Sequence, residues 1–180
     1  VNKIPTVFLR DPDNRARVTD TWHPDCLWVR DGEVVPTRKF DGTCVMFDGT
    51  RWWARRVVKQ GRDVPPDFQK IDHDPITGKL VGWEPAEQSP FAKYLREVMV
   101  DEPDLGTYEL CGPKINGNPE GFGRHVLIRH ADAAPLSERD RTYPAIREMC
   151  LYLMSNFGIE GIVYHHPDGR MAKIKAKDFR

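Results

Sequence analysis

Three Asp-Gly pairs between Asp31 and Gly49 constrain this chain more than any other feature. Asp-Gly suits the positive-φ turns that close tight hairpins. Here the pairs separate short β-branched or aromatic runs: "CLWVRDGE", "VVPTRK", "TCVMFD" and "RWWARRVVK". The first third of the chain is expected to be a meander of hairpins, with residues 26–33 as one of its strands. Gly61 to Pro90 is rich in Pro, Asp and Gly and reads as a long connection with a short strand at Leu80 to Trp83. Ser89 as N-cap and Pro90 at the first helical position predict a helix to about Met99.

Two further strands, "TYELCG" and "RHVLIRH", flank the loop "PKINGNPEGFG". Thr142 and Pro144 open a second helix, with Ile146, Met149, Cys150, Leu153, Met154 and Phe157 as its core stripe and Gly158 as its stop. The segment "EGIVYHHPDGRMAKIKAKDF" predicts a hairpin turning at Pro167-Asp168-Gly169. The expected class is α+β, in one domain covering residues 1–180.

A chain of 180 residues, 39% hydrophobic, fits one such domain. No apolar run approaches the roughly 20 residues that span a bilayer, and the N-terminus lacks the apolar core of a secretory signal, so a soluble, cytoplasmic protein without a membrane partner is expected. Cys26, Cys44, Cys111 and Cys150 form no C-x-x-C pair, which speaks against a zinc knuckle or a disulfide framework. The 27 basic and 27 acidic residues balance, which excludes a bulk nucleic-acid coat. Two stretches are nevertheless locally basic: Arg51, Arg55, Arg56, Lys59 and Arg62 without an acid among them, and Arg170, Lys173, Lys175, Lys177 and Arg180 near Asp168 and Asp178. They suit a focused anionic site or plain solvated faces.

Strand alternation puts Lys173 and Lys175 on one face, where two like charges are tolerated if a polyanion bridges them or both reach solvent. The same alternation pairs Glu160 with Ile162 and, in extended geometry, Lys39 with Asp41. Glu109 sits in an otherwise apolar strand and needs a partner or a ligand there. Asp72-His73-Asp74 could hold a metal but lies in the Pro-rich connection, and His165-His166 beside the turn reads as exposed. Trp22, Trp28, Trp52 and Trp53 are candidates for stacking planar bases, although Trp52 and Trp53 must point to opposite faces, so at least one belongs to the core. Lys114 and Asn116 either contact a polyanionic ligand or form a plain turn.

Taken in order, "KFDG" (Lys39 to Gly42), "YELCGP" (Tyr108 to Pro113), "EGIV" (Glu160 to Val163) and "KIK" (Lys173 to Lys175) resemble the nucleophile, third, fourth and fifth motifs of the covalent nucleotidyltransferases, which comprise ATP-dependent RNA and DNA ligases and mRNA capping enzymes. "ELCGPKING" is similar to phage-type RNA ligases, and the chain's size resembles small stand-alone 5′-to-3′ RNA ligases. The resemblance implies a nucleotidyltransferase fold, with two antiparallel sheets flanked by helices and the nucleotide in the groove between them. It implies a single adenylyltransferase domain without a C-terminal OB domain.

The implied reaction joins RNA 5′-phosphate and 3′-hydroxyl ends through a lysyl-AMP on Lys39 and an adenylylated RNA end, using ATP and Mg²⁺ (or Mn²⁺). In that scheme Lys173 and Lys175 act with Lys39 in catalysis and touch the nucleotide. Asp41, Gly42 and Glu109 line the nucleotide, with Glu109 accepting from the ribose, and Glu160 takes the metal. Either Arg55 or Arg56 meets phosphate. The adenine has Leu127 or Ile128 beside it where such ligases usually place an aromatic ring. The partners implied are RNA ends and an RNA end-healing enzyme, and the implied state is a monomer. A free lysine has a pKa of about 10.4, so only about one molecule in 2,500 is neutral at pH 7, and nearby cations favour the neutral nucleophile. A DNA ligase, a GTP-using capping enzyme and an inactive nucleotide- or RNA-binding module are the alternatives.

Overall fold

The computed structural model describes residues 3–138 and 140–180. In chain order the elements are β1 (Phe8–Arg10), β2 (Val18–Trp22), α1 (Leu27–Asp31), β3 (Val35–Lys39), β4 (Thr43–Phe47), β5 (Trp52–Val58), β6 (Gln69–His73) and β7 (Leu80–Pro85). They continue with α2 (Ala92–Arg96), β8 (Gly106–Cys111), β9 (Val126–Arg129), α3 (Tyr143–Phe157), β10 (Gly161–His165) and β11 (Met171–Lys175). The described residues divide into two compact units: Asp41–Asp132 with Lys3, and Ile4–Phe40 with Ala133–Arg180.

The first unit is built on an antiparallel sheet of order β6-β7-β5-β4-β8-β9. One face buries Val45, Ala54, Tyr108 and Leu110 against Leu95 of α2 and Ile115. β4 and β5 form the hairpin foreseen at Asp48-Gly49. Asp48 Oδ1 accepts from the N–H groups of Thr50 (2.8 Å) and Arg51 (2.9 Å), and Gly49 sits at φ 98°, where a side chain would be strained.

The helix expected from Ser89 to Met99 is shorter. Ser89 Oγ accepts from the Phe91 N–H, but α2 covers only Ala92–Arg96. Leu95 is its only buried side chain, too little packing to sustain a longer helix.

In the second unit, β11-β10-β3 form an antiparallel sheet and β1-β2 a separate ribbon. Ile162, Tyr164, Ala172 and Ile174 face Ile146, Cys150 and Leu153 of α3, so period 2 on the strands meets period 3.6 on the helix. Thr142 Oγ1 caps α3 by accepting from the Ala145 N–H, and Gly158 ends it at φ 65°. Phe157, placed in the core stripe from sequence, is exposed and meets Tyr152 edge-on. The β10–β11 hairpin closes through His166 N–H to Arg170 O (2.9 Å) and Gly169 N–H to His166 O (2.9 Å).

Two expectations from the Asp-Gly pattern fail. Residues 26–33 are not a strand: a turn of 3₁₀ helix at Pro24–Cys26 leads into α1, because Cys26 and Val29, three apart, are the buried residues. Asp41-Gly42 does not close a hairpin either, since β3 pairs with β10 while β4 pairs with β5 and β8. Gly42 is there for space: a Cβ would lie 2.7 Å from Cys111 Sγ and 2.9 Å from Glu109 Cγ.

Candidate functional site

In the second unit the register sets Lys39 and Lys175 on either side of Gly161, one on each neighbouring strand. The buried, core-facing residues of β10 and β11 alternate with this row, which leaves Lys39, Gly161 and Lys175 on the other face, with Lys173 one step along. Glu160 immediately precedes β10, so it escapes the alternation that was expected to pair it with Ile162. Its carboxylate is buried and bridges the two lysines: Oε2 accepts from Lys39 Nζ at 2.6 Å and Oε1 from Lys175 Nζ. Lys39 Nζ also reaches the Phe40 carbonyl at 3.3 Å.

Gly161 lets the strands close in here, because a Cβ would stand 2.8 Å from Lys175 Cα. Burial acts to raise the Glu160 carboxyl, but the charges and hydrogen bonds of Lys39 and Lys175 outweigh it and hold the group below the ordinary carboxylate range. Beneath the site, buried Asp178 accepts from the Lys175 N–H (2.9 Å) and pairs with Arg10 (2.8 Å). Neither Asp178 nor Arg10 was singled out in the sequence, where nothing distinguishes a helix-capping acid so far along the chain from a surface one.

In the first unit, Glu109 is buried on β8 and uses both oxygens. Oε1 accepts from the Gly42 N–H at 3.0 Å, and Oε2 lies 2.9 Å from His130 Nε2. His130 Nδ1 in turn lies 2.9 Å from Thr107 Oγ1. β3 ends at Lys39, so alternation does not extend to Asp41. The Asp41 N–H donates to Glu120 Oε1 at 2.7 Å, and Asn116 Nδ2 donates to the Gly42 carbonyl at 2.6 Å. The loop holding Lys114 and Asn116 is therefore a clamp on the Asp41-Gly42 backbone rather than a plain turn, and Asn116 takes a left-handed backbone (φ 49°) to reach it.

The register separates the two arginines. Val45 stands across from Ala54, and one step further along that register Arg55 comes beside Cys44, which stands across from Glu109, so these three share one face. Arg56 is on the other face, 3.9 Å from buried Glu84, whose carboxyl is raised by burial against the opposing charge of Arg56. Arg55 packs its guanidinium over Trp83 at 4.7 Å, and burial lowers its pKa. Its buried Nη1 has no hydrogen-bond partner among the described residues.

The remaining candidates have structural duties. Trp52 and Trp53 are both buried, the first against Phe47 and Tyr108, the second donating to Asp48 Oδ2 at 2.7 Å. Trp22 packs on Phe8, and Trp28 lies beside His166 and Arg170. Asp72 pairs with Lys3, and Asp74 caps the turn at Ile76 and Thr77. His165 and His166, expected to be exposed, are half-buried, and His165 Nε2 is 3.0 Å from Thr37 Oγ1. Leu127 and Ile128 pair with Leu110 and Glu109 on β8.

Among the described residues no helix is long and apolar enough to cross a membrane. No protein-family model matches the chain. The chain is 36% identical over 77 residues to a protein of Danio rerio named RNA ligase 1, a match that covers 38% of this chain and 22% of that protein. The likeness is thus to an RNA ligase, over a part of each sequence.

Proposed function

We propose that this chain is an ATP-dependent RNA ligase with an α+β nucleotidyltransferase fold, and that Lys39 is its nucleophile. The observation that carries the reading is the Glu160 bridge between Lys39 and Lys175: three motif residues drawn from 39, 160 and 175 meet side by side on one face of a sheet. The likeness to RNA ligase 1 favours RNA ends over other acceptors.

In this scheme the Lys39 ammonium first loses a proton to solvent, and the neutral Nζ forms a bond to the α-phosphorus of ATP as the bond to pyrophosphate breaks, a second proton leaving Nζ for solvent. The product is a lysyl-AMP phosphoramidate. Lys175 and Lys173 keep their charge and stabilise the negative oxygens of the α-phosphate as they develop. Arginine could not replace Lys39, since it does not lose its proton. Glu109 accepts from the ribose hydroxyls, and Gly42 lets the chain run close to it. Of the two arginines, Arg55 is the phosphate contact, because its buried Nη1 lacks a partner and it shares a face with Glu109, whereas Arg56 serves Glu84.

Mg²⁺ or Mn²⁺ suits a site where one carboxylate is joined by phosphate and water oxygens. Glu160 is such a carboxylate and would hold the metal, which would supply positive charge to the phosphate oxygens. AMP then passes to an RNA 5′-phosphate, and a 3′-hydroxyl displaces it.

Intact mass after incubation with ATP and Mg²⁺ tests the reading. The expected result is a gain of one AMP that survives denaturation, is absent with GTP and is lost in Lys39→Ala. No adduct on wild-type protein, after pyrophosphate has stripped any AMP already attached, overturns it. Preference for DNA ends over RNA ends would overturn the branch alone.

A further inference from the structure

We propose that Cys44, Glu109 and His130 form a site for a borderline-soft divalent cation, with Zn²⁺ as its occupant. Cys44 Sγ, a Glu109 carboxylate oxygen and a His130 ring nitrogen all lie within 4.8 Å of one another. Tetrahedral zinc, with bonds of about 2.0 Å to nitrogen and oxygen and about 2.3 Å to sulfur, sets its ligand atoms roughly 3.3–3.6 Å apart, so Nε2 and Oε2, now 2.9 Å apart, must part slightly to admit the ion between them. The three residues come from neighbouring strands, Cys44 and Glu109 directly across the β4–β8 ladder and His130 just after β9. The scaffold is therefore already assembled.

Each of two ligands also has the outer partner that metal ligands use. Thr107 Oγ1 holds His130 Nδ1 at 2.9 Å, and the Gly42 N–H holds Glu109 Oε1 at 3.0 Å, which leaves Nε2 and Oε2 turned toward each other. Without metal, Nε2–H donates to Glu109 and Nδ1 accepts from the Thr107 hydroxyl. With metal, the ring proton sits on Nδ1 and the hydroxyl turns to accept it, so no hydrogen bond is lost at Thr107.

Binding also releases the Cys44 thiol proton to solvent. One thiolate and one carboxylate then neutralise the dication, and the Arg55 guanidinium interacts with Cys44 from the next strand. Sulfur and imidazole donors disfavour Mg²⁺ and Ca²⁺. Three protein ligands leave a fourth position for water or an added ligand.

Co²⁺ titration of the metal-stripped, phosphine-reduced chain tests this, and it reads metal binding without ATP, so it succeeds or fails separately from adenylylation. One equivalent is expected to give a thiolate-to-cobalt charge-transfer band and tetrahedral ligand-field bands, both bleached by equimolar Zn²⁺. Cys44→Ser should remove the charge-transfer band. His130→Asn should weaken Co²⁺ binding further than Thr107→Ala, whose expected loss is about tenfold. Near-ultraviolet circular dichroism checks that each variant is folded. Absence of the thiolate band from wild type overturns the proposal, as does its survival in Cys44→Ser, which would move the cation to Cys26, Cys111 or Cys150. Unchanged affinity in a folded His130→Asn overturns it too.

Discussion

Glu160 in the three-stranded sheet and Glu109 in the six-stranded sheet are buried alike, at 4% and 7% exposure, and each engages both of its oxygens. Their partners differ in charge. Glu160 is held by two ammonium groups, so its cluster carries a net positive charge and invites a further anion. Glu109 is held by a backbone N–H and an imidazole, so with a neutral ring its cluster stays negative and invites hydrogen-bond donors or a cation. The same side chain, buried to the same degree, thus sits in opposite electrostatic surroundings because of the groups that hold its oxygens.

The largest test of this contrast is a pair of isosteric changes. Glu160→Gln leaves two lysines facing a neutral amide and should cost about 3 kcal/mol of unfolding free energy, at the low end for a broken buried pair because the lysines are partly exposed. Glu109→Gln keeps an oxygen for the Gly42 N–H and should cost about 1 kcal/mol. Equal losses in chemical denaturation would break the comparison.

Next are the glycines that let each cluster close. Gly161→Ala puts a Cβ 2.8 Å from Lys175 Cα and must move backbone, whereas Gly42→Ala meets the side chains of Cys111 and Glu109 as well as the Leu110 carbonyl. Each should destabilise by about 1–3 kcal/mol. Only Gly161→Ala should also disturb the Lys39–Glu160–Lys175 bridge, read as a rise of the Glu160 carboxyl's titration toward its ordinary value.

A smaller, sign-dependent effect separates Glu160 from Glu84, a second buried acid of the first unit beside Glu109. Glu160 titrates below its ordinary value of 4.5 when folded, so its contribution is full above pH 4.5 and is lost as pH falls through the lower folded value. Glu84 titrates above 4.5 when folded, so its contribution is present below pH 4.5 and is lost as pH rises through the raised value. Stability measured against pH should therefore show Glu160→Gln converging with wild type in acid. Glu84→Gln should match wild type in acid and become the more stable protein toward neutrality. The smallest expected change is Asn116→Ala, which frees the Gly42 carbonyl at about 1 kcal/mol and should lower the melting temperature only slightly.

Local rules made some of this legible. α3 has its cap, its apolar stripe and its stop within one stretch, and the β10–β11 hairpin carries its own turn, so neither needed distant information. Residues 26–33 misled because alternating apolar letters also satisfy an i, i+3 pair, and only packing of Cys26 and Val29 chooses between strand and helix. Arg55 and Arg56 could not be told apart until the β4–β5 register was known, since alternation states that two neighbours differ and not which one faces which way. Cys44 and His130 gave no signal, being ordinary residues that only the ladder brings to Glu109. Lys39, Glu109, Glu160 and Lys175 stood out in the sequence because their motif order is distinctive, while the meeting of Lys39, Glu160 and Lys175 came from three-dimensional pairing.

β10 joins β3 across some 121 residues of chain, the separation between Lys39 and Glu160. The six-stranded sheet, in contrast, is closed entirely by strands that lie between Thr43 and Arg129. During synthesis on the ribosome, Lys39 emerges well before Glu160 and Lys175, so it has neither its carboxylate partner nor the neighbouring ammonium until those later residues have been made. Translation arrested anywhere before residue 160 thus yields a chain that carries the lysine without the surroundings that give it a role.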